Sequence, residues 1–120
     1  MENVPIILAG CLGMSIAVTH GWLGETMVVR PVQNVSASQK RVLQAVMFLS
    51  AVYWFVGGAA LAASPIYLTA DGQRLTALVV GAMYLTGAIG NGWATRGRHF
   101  GWMLLTLAAA FAWSGAGLAG

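Results

Sequence analysis

The chain has 120 residues, 58% of them hydrophobic and only 8% charged. A soluble domain ordinarily carries about 25% charged residues, so lipid must cover part of this surface. The net charge of +3 comes from basic residues beside apolar runs, which reads as a topology signal and argues against a nucleic-acid partner.

Val4 to Leu23 is apolar apart from Ser15, Thr19 and His20. About 20 helical residues cross a hydrocarbon core of about 30 Å. A first helix is therefore expected over 4–29, fraying between Glu25 and Val29, with Pro31 fixing the stop. Leu8-Ala9-Gly10-Cys11 matches a bacterial lipoprotein cleavage box. The segment before it has Glu2, no Lys or Arg, and too short an apolar core for a signal peptide. The preferred reading makes Cys11 a small buried residue of the first helix. As the single cysteine, it also excludes an intramolecular disulfide and a multi-cysteine metal site.

Pro31 to Lys40 is a polar loop. Ser36 followed by Gln39 is a capping-box pattern, which starts a second helix at Ala37. Ser64-Pro65 should end it at 63. Asp71 is a good N-cap for a third helix over 72–95. Thr95 to His99 is a tight connection, and a fourth helix is expected over 99–118. The fold expected is all-α: one integral membrane four-helix bundle over 1–120, with the lipid bilayer as its first partner.

Sixteen glycines punctuate these spans. Lipid tails offer no hydrophobic drive for helix association, so close packing of small residues must supply it. Gly10, Gly13, Gly57, Gly58, Gly81, Gly87 and Gly90 are expected at helix contacts. A duplication of two helical hairpins is a further expectation. His20-Gly21-Trp22 matches Asn91-Gly92-Trp93, and Gly58-Ala59-Ala60-Leu61-Ala62 matches Gly115-Ala116-Gly117-Leu118-Ala119.

Arg30, Lys40 and Arg41 lie between helices 1 and 2, and Arg96 and Arg98 between helices 3 and 4. Arg74, beside Asp71, is alone in the remaining loop. The positive-inside rule puts the two basic loops in the cytoplasm and both termini on the other side. Trp22, Trp93 and Trp102 then fall at the cytoplasmic interface.

Two constellations could carry chemistry. The first is a polar cluster at the cytoplasmic helix ends: His20, Glu25, Gln44, Asn91 and Arg96. His20 is the deepest, and could shuttle protons or bind a ligand. The plainer reading, which is favoured, has it bonded to Asn91 or a backbone carbonyl and tying helices together. Glu25 should pair with an arginine such as Arg30 or Arg96. The second is a mid-membrane pocket of Ser50, Tyr53 and Trp54 on helix 2 with Tyr84 and Thr86 on helix 3. Ser50, Tyr53 and Trp54 share a face. The plainer reading is aromatic packing with the hydroxyls bonded to neighbouring helices. Axial haem ligation by His20 and His99 would need equal depth, yet His99 falls in the loop. No catalytic residue, metal site or cofactor is expected.

His20-Gly21-Trp22-Leu23-Gly24-Glu25, then Arg30-Pro31, then Arg41-Val42-Leu43-Gln44-Ala45-Val46 resembles a type of small four-helix bacterial inner-membrane protein. That resemblance covers most of the chain and implies location and fold but no activity. The chain is also similar in size to small multidrug resistance transporters. Their essential glutamate in the middle of helix 1 has no counterpart between Gly10 and Ala17, which argues against drug–proton exchange of that kind. Fluoride channels are similar in size too, but their Asn- and Phe-bearing pore pattern is not recognisable here. The expected function is non-enzymatic: an accessory or assembly subunit of a larger membrane complex, or a homo-oligomer. The alternative is a small proton- or ion-linked transporter or channel with His20, Glu25 and Asn91 on its path.

Overall fold

A proline near the start of an apolar run and a glycine near its end delimit the first helix, α1 (Val4–Leu23). Pro5 sits in the first turn, where a missing N–H leaves no bond unmade. The computed structural model describes residues 3–117. Where fraying was expected, the chain instead forms a π-helical segment, Gly24–Val29. The Arg30 N–H donates to Glu25 O at 3.0 Å, a bond five residues back. This wider winding brings residues five apart onto one side, and Glu25 and Arg30 pair at 3.4 Å.

The second helix, α2 (Ala37–Tyr67), starts on the expected capping box. The Gln39 N–H donates to Ser36 Oγ at 3.1 Å, and the Ser36 N–H donates to Gln39 Oε1 at 2.8 Å. It does not end at residue 63. It runs straight through Pro65, and the reason is local. Proline lacks the N–H that would reach Leu61 O. The Ser64 hydroxyl donates to Leu61 O instead, at 2.8 Å, from a buried position.

The third helix, α3 (Ala70–Ala94), is capped by Thr69 rather than Asp71. The Gly72 N–H donates to Thr69 Oγ1 at 3.4 Å. Asp71 falls in the first turn, where its charge suits the positive end of the helix dipole. After α3 the chain turns through Gly97, whose φ of +72° a side chain would resist. The fourth helix, α4 (Gly101–Gly115), begins later than residue 99, because the His99 ring precedes it and accepts the Gly101 N–H at Nδ1. The expected end at Leu118 lies outside the described residues.

The bundle closes in the order α1, α2, α3, α4. α1 packs on α2 and α4, α3 packs on α4, and α2 meets α3 along the lightest seam. Three helical runs are long and apolar enough to cross a membrane: Val4–Val29, Ala37–Tyr67 and Ala70–Ala94. With 15 residues, α4 rises only about 22 Å, short of a full hydrocarbon core. Its Gly115 lies against Ile6 at the start of α1, so it runs antiparallel along most of α1.

The glycines do what a membrane interior asks of them, with one exception. A Cβ on Gly10 would stand 2.5 Å from Gly58 O, and one on Gly58 would stand 2.6 Å from Gly10 O. There α1 and α2 touch backbone to backbone. Gly13 is covered by the Tyr84 phenol, Gly57 by Val80, Gly81 by the Trp113 indole and Gly87 by the Trp54 ring. Gly90 contradicts the expectation, facing open space on the exposed side of α3. Cys11 is also corrected: it is exposed on α1 rather than buried, because Ala9, Gly10 and Gly13 occupy the inward face.

Candidate functional site: a polar layer at the basic end

The helix register brings four polar side chains to one level. His20 lies as many residues beyond Ile6 as Gly101 lies short of Gly115, its contact. Antiparallel α1 and α4 therefore place His20 level with the start of α4. Asn91 lies as far beyond Gly87 as Ser50 lies short of Trp54, which packs on Gly87. Antiparallel α2 and α3 place Asn91 level with Ser50. The layer thus draws His20 from α1, Ser50 from α2, Asn91 from α3 and His99 from the entry to α4.

Hydrogen bonds set the protons in this layer. The Ser50 hydroxyl donates to Met47 O at 2.9 Å. With that bond made, Ser50 Oγ can accept from His20 Nε2, 3.1 Å away. In the Nε2–H tautomer His20 donates to Ser50 and keeps a lone pair on Nδ1. Its ring also lies against Trp54, with centroids 4.5 Å apart at 51°. His99 accepts the Gly101 N–H at Nδ1, 3.1 Å away, so its ring proton is on Nε2. It stacks on Phe100 with centroids 5.0 Å apart. The Asn91 amide nitrogen lies beside Gly101. Its Oδ1 is buried and has no hydrogen-bond partner.

The expected polar cluster therefore divides. His20 and Asn91 share the layer, but they are not bonded to each other: His20 takes Ser50, because α2 and not α3 is the neighbour of α1. Glu25 lies beyond the layer and pairs with exposed Arg30. Gln44 is exposed on α2. Arg96 is exposed in the turn, with a φ of 51°. The sequence reading did not join Ser50 to His20 or give His99 a capping role. His99 lies in the connection before α4, as expected, and it is Gly101 that the register brings level with His20. A protonated Nε2 on His99 cannot ligate a metal while Nδ1 holds the Gly101 N–H. Among the described residues no three His, Cys, Asp or Glu side chains come together as a metal site would require.

The second constellation is also divided. Ser50, Tyr53 and Trp54 line a groove of about 680 Å³ between α2 and α3, with Leu78, Ala82, Met83 and Thr86 opposite. It opens sideways along the lightest seam. Tyr84 is not part of it. This side chain is fully buried, turns inward against Gly13, and donates its hydroxyl to Trp54 O at 3.2 Å. Inward placement follows from size: the gap beside a glycine on α1 is where a large ring fits.

Comparison of the chain with protein-family models, with curated proteins and with solved structures finds no match in any of the three.

Proposed function

We propose that this is a non-enzymatic integral membrane subunit that acts through its lateral surface, as an accessory or assembly component of a larger membrane complex or as a homo-oligomer. One observation carries the reading: the core is closed and apolar. Ile6, Ala9, Leu61, Ala77, Leu105, Ala108 and Ala112 fill it. The buried hydroxyls are spent on local bonds: Ser64 donates within its own helix to Leu61 O, and Tyr84 donates to Trp54 O. A transporter needs polar groups along a path, because an ionisable side chain in lipid is costly unless it faces water or a partner. The exterior, by contrast, is rich in large apolar groups, with Phe48, Leu49, Val52, Phe55 and Val56 exposed on α2 alone.

The setting proposed is a bacterial inner membrane. The end bearing Arg30, Lys40, Arg41, Arg96 and Arg98 faces the cytoplasm, with both termini opposite. The alternative, a small proton-linked transporter, keeps one observation in its favour: His20, an imidazole inside a span, has a free ring nitrogen. The experiment is extraction in a mild detergent, with particle size and co-purifying partners measured for the parent and for Ala82→Phe. Ala82 is exposed in the α2–α3 groove, so a phenyl ring there fills the groove and leaves the core alone. The reading expects a parent particle well above 12.5 kDa of protein that shrinks in Ala82→Phe. A parent that is monomeric and partner-free contradicts it.

A further inference from the structure

We infer that the outer groove between α3 and α4 holds one acyl chain of an anionic phospholipid, whose phosphate meets Arg96 and Arg98. The groove has a volume of about 380 Å³. It is lined by Leu85, Ile89 and Trp93 on α3, Trp102 and Thr106 on α4, and Gly97 in the turn that joins them. Leu85 lies about two turns of α3 below Trp93, a descent of about 12 Å. That approaches half of a hydrocarbon core of about 30 Å, the depth of one leaflet. The single hydroxyl in the groove is spent, since Thr106 donates to Trp102 O at 2.8 Å. The Trp102 ring lies over Gly92, where a Cβ would stand 3.5 Å from its Cγ. Its indole N–H donates to Gly97 O at 3.3 Å, which holds the ring against the turn as one wall of the groove.

Charge enters at the head of the groove. Arg96 and Arg98 flank Gly97, and both are exposed. The N–H groups of Thr95, Arg96, Gly97 and Arg98 all donate to carbonyls between Asn91 and Thr95. The turn therefore offers an anion its two guanidinium groups, whose fork geometry suits a phosphate. Among the described residues no carboxylate pairs with either: Glu25 is taken by Arg30, and Asp71 lies at the other end of α3. An apolar slot that ends in two unbalanced cations fits a molecule with an apolar chain and an anionic head. A soluble anion would leave the slot unused. Phosphatidylcholine would bring its ammonium against the arginines. The indoles of Trp93 and Trp102 sit where amphipathic rings meet headgroups. The inference takes the chain to span a membrane. It does not depend on the subunit reading, whose surface is the α2–α3 groove.

The test is native mass spectrometry of the protein in mild detergent. Phosphatidylglycerol and phosphatidylcholine with the same acyl chains are added in equal amounts. The parent should retain one phosphatidylglycerol in preference. A basic residue beside an anionic headgroup strengthens attachment about fivefold, so Arg96→Gln with Arg98→Gln should cut the preference at least about fivefold. Lys40→Gln with Arg41→Gln removes the same charge from the other basic loop, and should leave the preference within about twofold. Thr106→Trp fills the groove from an exposed rim position with both arginines in place, and should lose the retained lipid. Should that variant fail to fold, Ile89→Trp, exposed on the α3 rim, decides in its place. Equal retention of both lipids by the parent overturns the inference. So does an equal loss from the two charge-removing pairs, or retention unchanged with the groove filled. An acidic protein that co-purifies with the parent and is lost with Arg96 and Arg98 would also overturn it.

Discussion

The two hairpins of this bundle use glycine in opposite ways. In α1–α2, Gly10 and Gly58 meet each other, and each leaves room for the other's carbonyl. In α3–α4, Gly81 meets the flat indole of Trp113, and Gly92 meets Trp102. The difference matters because a backbone cannot step aside and a ring can. The first hairpin is a fixed crossing set by two small residues. The second is a fitted one, in which a large side chain fills the volume that a missing one leaves. Both answer the same problem, since lipid offers no hydrophobic drive and contact must come from shape.

The largest effect should fall on the fixed crossing. Gly58→Leu places a side chain where its Cβ alone would stand 2.6 Å from Gly10 O and 2.9 Å from Met14 N. Forcing volume into a packed interior costs about 1–3 kcal/mol where neighbours can adjust. Here they are backbone, so a loss of about 3 kcal/mol or failure to fold is expected in unfolding from micelles. A loss below about 1 kcal/mol would remove the distinction between the hairpins.

A smaller effect is expected at the fitted contact. Gly81→Ala puts a methyl hard against Trp113 Nε1, nearer than any atom that a Cβ on Gly58 would meet, and 2.8 Å from Trp113 Cδ1. The ring can tilt, and alanine gains up to about 1 kcal/mol in helix propensity. The net loss should be about 1 kcal/mol, and Trp113→Phe in the same chain should recover part of it, as a double-mutant cycle would measure. Equal losses for Gly81→Ala and Gly58→Ala would mean that ring and backbone yield alike.

Ser64→Ala tests the unbroken α2. It removes the hydroxyl that serves Leu61 O at the proline. A loss of about 1 kcal/mol is expected, together with fraying of helix beyond residue 63, visible as faster amide exchange at Ile66 to Leu68. The smallest effect belongs to Glu25→Gln. The Glu25–Arg30 pair has side chains 40% and 70% exposed, and exposed pairs contribute roughly 0–1 kcal/mol. Stability should change by less than about 0.5 kcal/mol.

Much of this fold is legible in the chain itself, because long apolar runs with small residues admit few arrangements in lipid. The four helices and the capping box at Ser36 and Gln39 follow from pattern alone. The readings that fail depend on one bond at a time. Pro65 reads as a stop until the Ser64 hydroxyl is seen at Leu61 O. Asp71 reads as a cap until Thr69 is seen two residues earlier. The end of α1 reads as frayed because nothing in the pattern separates a frayed end from a π-helical one. The site was half legible. His20 and Asn91 do mark the polar layer, but pairing them with each other assumed that α1 touches α3. In a ring of four antiparallel helices those two are diagonal, and Ser50 on the adjacent helix takes the bond. Tyr84 was misplaced for a related reason: sequence spacing groups it with Thr86 on α3, but its ring fills the space at Gly13.

The central claim is that a closed apolar core makes this a laterally acting subunit and not a conduit. Proton flux measured in sealed vesicles containing the purified parent protein tests that claim most directly, with His20→Ala alongside. The account predicts flux no greater than in empty vesicles for both. Flux in the parent that His20→Ala abolishes, with helix content and particle size unchanged, would contradict it and establish the transporter in its place.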